Sequence, residues 1–416
     1  MSSNEWNWAG NLEYSASVIH RPETLADIQD LVRTRPSLKA LGSRHSFNRI
    51  ADTNGELISS ERMTSILQFS PEQLTVKVQP GIKYGELGRF LDSKGFALSN
   101  LASLPHISVG GACATATHGS GVENGNLSTS VVGIEFIDGR GNLVEMTPEK
   151  DGDRFYGAIV HLGALGFVVS LTLCLVPSFL VSQFVFEGLP FDSLEANFDA
   201  ITRSGYSVSL FSFWNSDEVA QIWVKTRSPL LLDFKGLGAT PADGQRSPIP
   251  GAPVENCTQQ LGEPGPWIDR LAHFRMGFTP SSGEELQSEF FVPREFAWEA
   301  LSEINLLRDR IAPHIHTSEI RCIAKDAIWM SPNYDRESVA IHFTWKQNWK
   351  EVEKLLGVIE SKLARFNARP HWGKLFTMKK EKIQTLYPRY SDFLALRREF
   401  DPEAKFSNDF LAETIG

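Results

Sequence analysis

Cysteine is scarce in this chain of 416 residues: there are four, Cys113, Cys174, Cys257 and Cys322. They lie far apart and form no CxxC pair, which speaks against a disulfide framework and against a zinc site of the usual spacing. No apolar run approaches the ~20 residues that a membrane-crossing helix needs. The opening stretch, Met1 to Gly10, lacks a basic start followed by an apolar segment, so no secretory leader is read and a reducing cytoplasm is the expected setting. Asn256-Cys257-Thr258 fits a glycosylation sequon but, without export, is read as chance. Clusters of Lys and Arg are also missing. With a formal net charge of -9, a polyanionic backbone would be repelled, which sets nucleic acid aside. There is no internal repeat and no low-complexity tract. Nothing marks an interface, and a monomer is the default.

What is present is an ordinary globular composition, 42% hydrophobic and 22% charged, in a chain long enough for two domains. Thr24-x-x-Asp27 has the form of a capping box ahead of a helical face of Leu25, Ile28, Leu31 and Val32, and a strand is predicted at Leu38 to Leu41. Leu74, Val76 and Val78 alternate as a strand ending at Pro80-Gly81. A helix carrying Leu87, Phe90 and Leu91 then stops at Gly95. Residues 99 to 133 are rich in Gly, Ala, Ser and Thr, a poor recipe for an independent helix or strand and a good one for backbone wrapped round a ligand. Strands return at Val131 to Ile137, Leu143 to Met146 and along Val169, Leu171, Leu173 and Leu175. Composition shifts after Pro177, where a domain boundary is placed. The Pro/Gly-rich residues 236 to 266 read as a long surface loop edging a binding site.

Two later strands each pair a polar with an apolar face. In Thr317 to Ala324, Glu319 and Arg321 oppose Ser318, Ile320 and Cys322. In Val339 to Lys346, His342 and Thr344 oppose Val339, Ile341, Phe343 and Trp345. If the polar faces meet, Glu319, Arg321, His342 and Thr344 line one cavity. His314 and His316 lack nearby cysteine or carboxylate partners, and no metal site is expected. Gly163-Ala164-Leu165-Gly166 precedes a strand instead of opening a helix, which argues against a Rossmann fingerprint.

The most informative segments are Leu41-Gly42-Ser43-Arg44-His45-Ser46-Phe47-Asn48 and Ser103 to Gly121. Gly and Ser in the first leave backbone N-H groups free for phosphate oxygens, and the small side chains of the second let backbone approach a large ligand. Together with Pro80-Gly81, Leu162 to Gly166 and the His371-Trp372-Gly373-Lys374 segment, they resemble the vanillyl-alcohol oxidase type of FAD-binding fold, and within it the alditol (xylitol) oxidases. The resemblance implies an α+β fold in two parts: an FAD-binding domain at residues 1–178, a substrate domain at 179–370, and a segment, 371–416, that completes the first. It implies FAD held covalently through its 8α carbon by His45. It also implies pyrophosphate contacts from Leu41, Gly42, Ser43, Arg44, Ser46, Phe47 and from Gly111, Ala112, Cys113 and Ala114, with Ser103, Ser108, His118 and Val168 close to the flavin. Arg44 departs from the family, which has a small residue there.

The implied reaction is oxidation of the terminal carbon of an alditol, with O2 reduced to H2O2. Arg321 and Lys374 would stabilise the developing alkoxide, and the proton would pass to His342 or to Lys374. Glu319, Thr344 and Ser103 would bind the remaining hydroxyls alongside Arg321 and Lys374. Duller readings exist: His45 as a surface-loop histidine, His118 as structural, His106 as a positioning residue, and Glu319 with Arg321 as a plain salt bridge. The rival functions are a sugar or aldonolactone oxidase or dehydrogenase, and a flavin- or carbohydrate-binding protein without turnover.

Overall fold

A computed structural model describes residues 5–277 and 284–416. The first unit folds as its pattern predicts. The Thr24 hydroxyl accepts from the Asp27 amide and the Asp27 carboxylate accepts from the Thr24 amide at the start of the helix Leu25–Thr34, a cap of the kind worth about 1 kcal/mol. Ile28 and Val32 of this helix are buried with Leu38, Ile58 and Phe406. Strands Val18–His20, Glu56–Ser59 and Leu38–Leu41 form a parallel sheet in that order. An antiparallel sheet runs Ile66–Ser70, Thr75–Val78, Gly166–Cys174, Val131–Asp138, Leu143–Met146, and its Ile137, Phe167 and Val169 join the same apolar cluster. Residues near the C-terminus return to this region: the Leu38 amide donates to the Lys405 carbonyl and the Gly139 amide to the Phe400 carbonyl.

Beyond residue 179 a nine-stranded sheet takes over. Its order is Thr240–Pro241, Leu180–Pro190, Glu218–Thr226, Ser207–Ser212, Ile315–Ile323, Ser338–Lys346, Glu285–Pro293 and Arg369–Pro370, with Gly265–Pro266 paired to Leu180–Pro190. Its pairings are antiparallel. On the apolar side Ile320, Ile341 and Phe290 stand in register and share a core with Leu301 and Ile304 of the helix Ala297–Asn305 and with Val352 and Leu356 of Trp349–Leu363. No helix among the described residues is long and apolar enough to cross a membrane.

Local readings differ from the structure in three places. Leu74 is exposed at a positive φ of 53° in the turn before its strand, which starts at Thr75. The stretch 99–133 contains a short helix, Val109–Ala114. Its Gly110-Gly111 pair has low helix propensity, and burial of Val109, Ala112 and Cys113 supplies what propensity does not. The Pro/Gly-rich segment is only partly surface, since Cys257, Thr258 and Gln260 are buried. The polar faces of the two later strands do meet: Ile315–Ile323 and Ser338–Lys346 are neighbours in one sheet, with Glu319 opposite His342, and Glu319, Arg321, His342 and Thr344 line one cavity.

Candidate active site

Strand alternation builds the site. One row across four adjacent strands reads Phe211, Glu319, His342, Glu289, and the next reads Thr317, Thr344, Gln287. Residues directly opposite on neighbouring strands share a face, so these side chains, with Arg321 two residues beyond Glu319, line one cavity together with Lys374 and Ser103. Glu289 is its hub. One carboxylate oxygen accepts from Arg321 at 2.9 Å and the other from Lys374 at 2.6 Å, while His118 Nε2 lies 3.2 Å away. Arg321 also donates to Ser103 Oγ at 3.2 Å, and its Nε, 3.5 Å from Glu319, makes no hydrogen bond. The strongest partner of Arg321 is therefore Glu289 and not the neighbouring Glu319.

Burial favours the neutral form of every group here, and neighbouring charges decide the exceptions. Burial pushes the Glu289 carboxyl up, but Lys374, His118 and Arg321 together hold it well below its ordinary range. The Glu319 carboxyl is likewise lowered against its burial by Arg321 and His273. Burial lowers Lys374 while Glu289 opposes the shift. His342 is driven well below its ordinary value by burial and by the Lys374 cation, so its ring is neutral. Its tautomer follows from its neighbours. The Gln287 amide nitrogen donates to Glu285 at 2.6 Å, leaving the amide oxygen to face His342 Nε2 at 3.1 Å. Nε2 therefore carries the proton, and Nδ1, buried and without a partner, carries the lone pair.

The same cavity continues into a cradle made of residues 40–47, 102–104, 110–112, 161–163 and 168; cradle and polar face together, with the open solvent at the mouth, hold about 1790 Å³. A Cβ on Gly42 would stand 2.9 Å from Ser108 Oγ and 3.5 Å from Gly111 Cα, so the close approach of the two loops needs glycine at 42. Ser43 and Ser108 lock them, each amide donating to the other's hydroxyl at 3.2 and 2.9 Å. Buried Lys39 ties Leu162, Gly163 and Phe406 together through their carbonyls. His45 is stacked on Trp8 with ring centroids 5.2 Å apart, and its Nδ1 is 3.1 Å from Ser43 Oγ. Its Nε2 is buried without a partner, and burial lowers its pKa to about 4, leaving a neutral ring. An unpartnered imidazole beside a large cavity fits a planar, phosphate-bearing cofactor. The cradle and the polar sheet face are joined: Asn48 donates to the carbonyls of Trp372 and Lys374 at 2.8 and 2.6 Å.

Most residues expected at the site lie around this cavity: Leu41, Gly42, Ser43, Arg44, His45, Ser46, Phe47, Ser103, Gly111, Ala112, Ala114, His118, Val168, Glu319, Arg321, His342, Thr344 and Lys374. Ser108 stands behind the cradle as its lock, and the Cys113 thiol turns away to Tyr84, 3.5 Å from its hydroxyl. Arg44 has a positive φ of 65° and sends its guanidinium outward to Glu5 and Glu61. His106 bonds the Met276 carbonyl at 2.8 Å. His118, Glu289 and His371 each offer a ligand atom within 4.8 Å of the others, but Arg321 and Lys374 already occupy Glu289 and their charges oppose a metal ion there. Sequence reading missed Glu289, Gln287, Glu285, His273 and His371. For the first three the signal exists, a polar residue at every second position from 285 to 289.

Two family models match the chain: "FAD binding domain" over residues 16–147 and "D-arabinono-1,4-lactone oxidase" over 282–414. An alditol oxidase of Streptomyces sp. (strain IKD472 / FERM P-14339) is 44% identical over 419 residues, covering all of both chains. An L-gulonolactone oxidase of Mus musculus is 26% identical, covering 98% of this chain and 97% of its own. Among solved structures, a cholesterol oxidase from B. sterolicum superposes with a TM-score of 0.78 at 14% identity, covering 99% of this chain and 96% of that one. The two-part α+β fold is thus that of the FAD-binding oxidases. Within that class, the chain belongs to the alditol oxidase family.

Proposed function

We propose that the chain oxidises the terminal carbinol of alditols such as xylitol and sorbitol to the aldose, with O2 reduced to H2O2, using FAD tethered to His45 through an 8α-histidyl bond. In this reading residues 1–178 and 371–416 hold the cofactor and residues 179–370 the substrate. The observation that carries it is the pair of cations, Arg321 and Lys374, that Glu289 holds beside the neutral His342 on the wall of the cavity. FAD, when bound, supplies the acceptor for a hydride from the carbinol carbon.

The chain's own residues do the rest. The hydroxyl proton passes to His342, whose neutral ring lines the cavity, or to Lys374. Arg321 and Lys374 stabilise the negative charge that grows on the oxygen, held in place beforehand by Glu289 so that no reorganisation is needed at the moment of reaction. Glu319, Thr344 and Ser103 take the remaining hydroxyls, which disfavours analogues lacking them. Neutral His45 has a ring lone pair available for the bond to the cofactor. Lys374, lowered by burial against the pull of Glu289, is the second candidate for the proton.

A second reading, oxidation of sugars or aldonolactones, is favoured by the lactone-oxidase family match over residues 282–414. Peroxide release separates the two. Xylitol is expected to give H2O2 with a higher kcat/KM than L-gulono-1,4-lactone or D-arabinono-1,4-lactone; the reverse order would transfer the assignment to the lactones, and turnover without peroxide would replace oxygen as acceptor.

A further inference from the structure

Glu319 is supported from behind by two groups that the reaction above does not use. Lys225, on the strand Glu218–Thr226, is buried, with acceptors for all three N-H donors of an ammonium: the carbonyls of Leu271 at 2.5 Å and Ala272 at 3.1 Å, and His273 Nδ1 at 2.9 Å. Ionised Glu319 can only accept, and the Lys225 ammonium, although burial lowers its pKa to about 7, can only donate, so Nε2 carries the proton of His273 and Nδ1 the lone pair. That Nε2 stands 2.7 Å from Glu319 Oε1, with Ser209 Oγ farther off at 3.4 Å. His273 is itself packed edge-on against Phe211 and Trp223, which hold the ring plane. Burial and the Lys225 cation lower its pKa to about 4, so it stays neutral. Glu319 Oε1 is thus taken, with the Arg321 guanidinium 3.5 Å away, and Oε2 is the oxygen left for a ligand.

We propose that Lys225 and His273 are positioning residues that fix the orientation of Glu319 as acceptor for a substrate hydroxyl remote from the reacting carbon, and so set the preference for polyols over simple diols. The proposal rests on the reading of Glu319 as a polyol ligand. The physical reason is directional. Without Lys225 the imidazole is free to take its other tautomer, which would point a lone pair at the carboxylate; with His273 removed, Oε1 loses its donor and the carboxylate its fixed plane. Either change leaves a buried acceptor misdirected, and the loss falls on substrates that use it.

The test compares xylitol with 1,2-pentanediol, which keeps the reacting hydroxyl and its neighbour and lacks the others, on the flavin-loaded holoenzyme. In Lys225→Met and His273→Phe the ratio of kcat/KM for xylitol over the diol is expected to fall by about tenfold or more, mostly through the KM for xylitol, with diol turnover little changed. His273→Gln, whose side-chain amide can again donate to Oε1, is expected to restore most of the ratio, and it carries the test if Lys225→Met does not fold. A merely structural role would lower both substrates together and leave the ratio unchanged, which overturns the proposal. Glu319→Gln is measured alongside. If it collapses the ratio while Lys225→Met and His273→Phe preserve it, the positioning role is wrong and the ligand reading stands; if it too preserves the ratio, the ligand reading itself falls.

Discussion

Lys374 Nζ and Glu289 Oε2 are 2.6 Å apart inside the protein, and the other Glu289 oxygen holds Arg321. A single buried carboxylate therefore fixes both cations of the site. Glu289 lies on the strand Glu285–Pro293 and Lys374 beyond the edge strand Arg369–Pro370 that pairs with it, so the arrangement is built into the end of the sheet.

Substituting Glu289 by Gln leaves buried Lys374 without its nearest counter-charge and Arg321 with only Glu319 at 3.5 Å, and breaking a buried pair from one side costs about 3–5 kcal/mol. The expected outcome is a lower urea midpoint and a fall in kcat/KM for xylitol of roughly a hundredfold or more. A variant with near-normal turnover would show that the cations hold their positions without it.

Gln287→Met removes the acceptor that keeps the proton of His342 on Nε2. Either tautomer is then open, and the expected result is a fall in the anaerobic rate of flavin reduction by about tenfold with substrate affinity nearly unchanged. An unaltered reduction rate would take the base role away from His342 and leave it to Lys374.

His45→Ala is expected to release all of its flavin when the protein is denatured in acid, whereas the unaltered protein keeps its flavin on the chain. Flavin that stays attached to the variant would place the tether elsewhere.

Stability should fall as pH is lowered from 7 to 5. Burial lowers His273 to about 4 and His161 to about 3, against about 6.5 in an unfolded chain. A depressed histidine binds its proton more readily when unfolded, so stability is full above about pH 6.5 and declines below it, by up to about 1.4 kcal/mol per pH unit for each such group. Glu289 and Glu319 add a loss in the same direction at lower pH, below the ordinary carboxylate range. Urea midpoints measured across the interval check this, and a flat profile would mean the histidines are hydrated.

Alternation made part of the site legible in advance. Glu319, Arg321, His342 and Thr344 stand out because each strand is apolar on its other face, and the Gly/Ser composition of the His45 loop announces exposed backbone. Glu289 has the same alternation with Glu285 and Gln287, but the Phe290-Phe291-Val292 run that follows reads as buried on both faces and obscures the period. His273 lies in an irregular segment where no periodicity exists, and its place beside Glu319 joins residues 46 apart in the chain. Asn48 and Lys374 are 326 residues apart, a link that only folding creates. The short helix Val109–Ala114 was hidden by its glycines, whose poor propensity burial overrides.

The most direct test of the central claim is the absorption spectrum of the purified protein under anaerobic conditions, before and after xylitol. An oxidised-flavin spectrum that bleaches on adding xylitol, and returns with stoichiometric peroxide when air is admitted, is the predicted result. A yellow protein that keeps its spectrum in xylitol and bleaches instead with an aldonolactone would contradict the assignment to alditols.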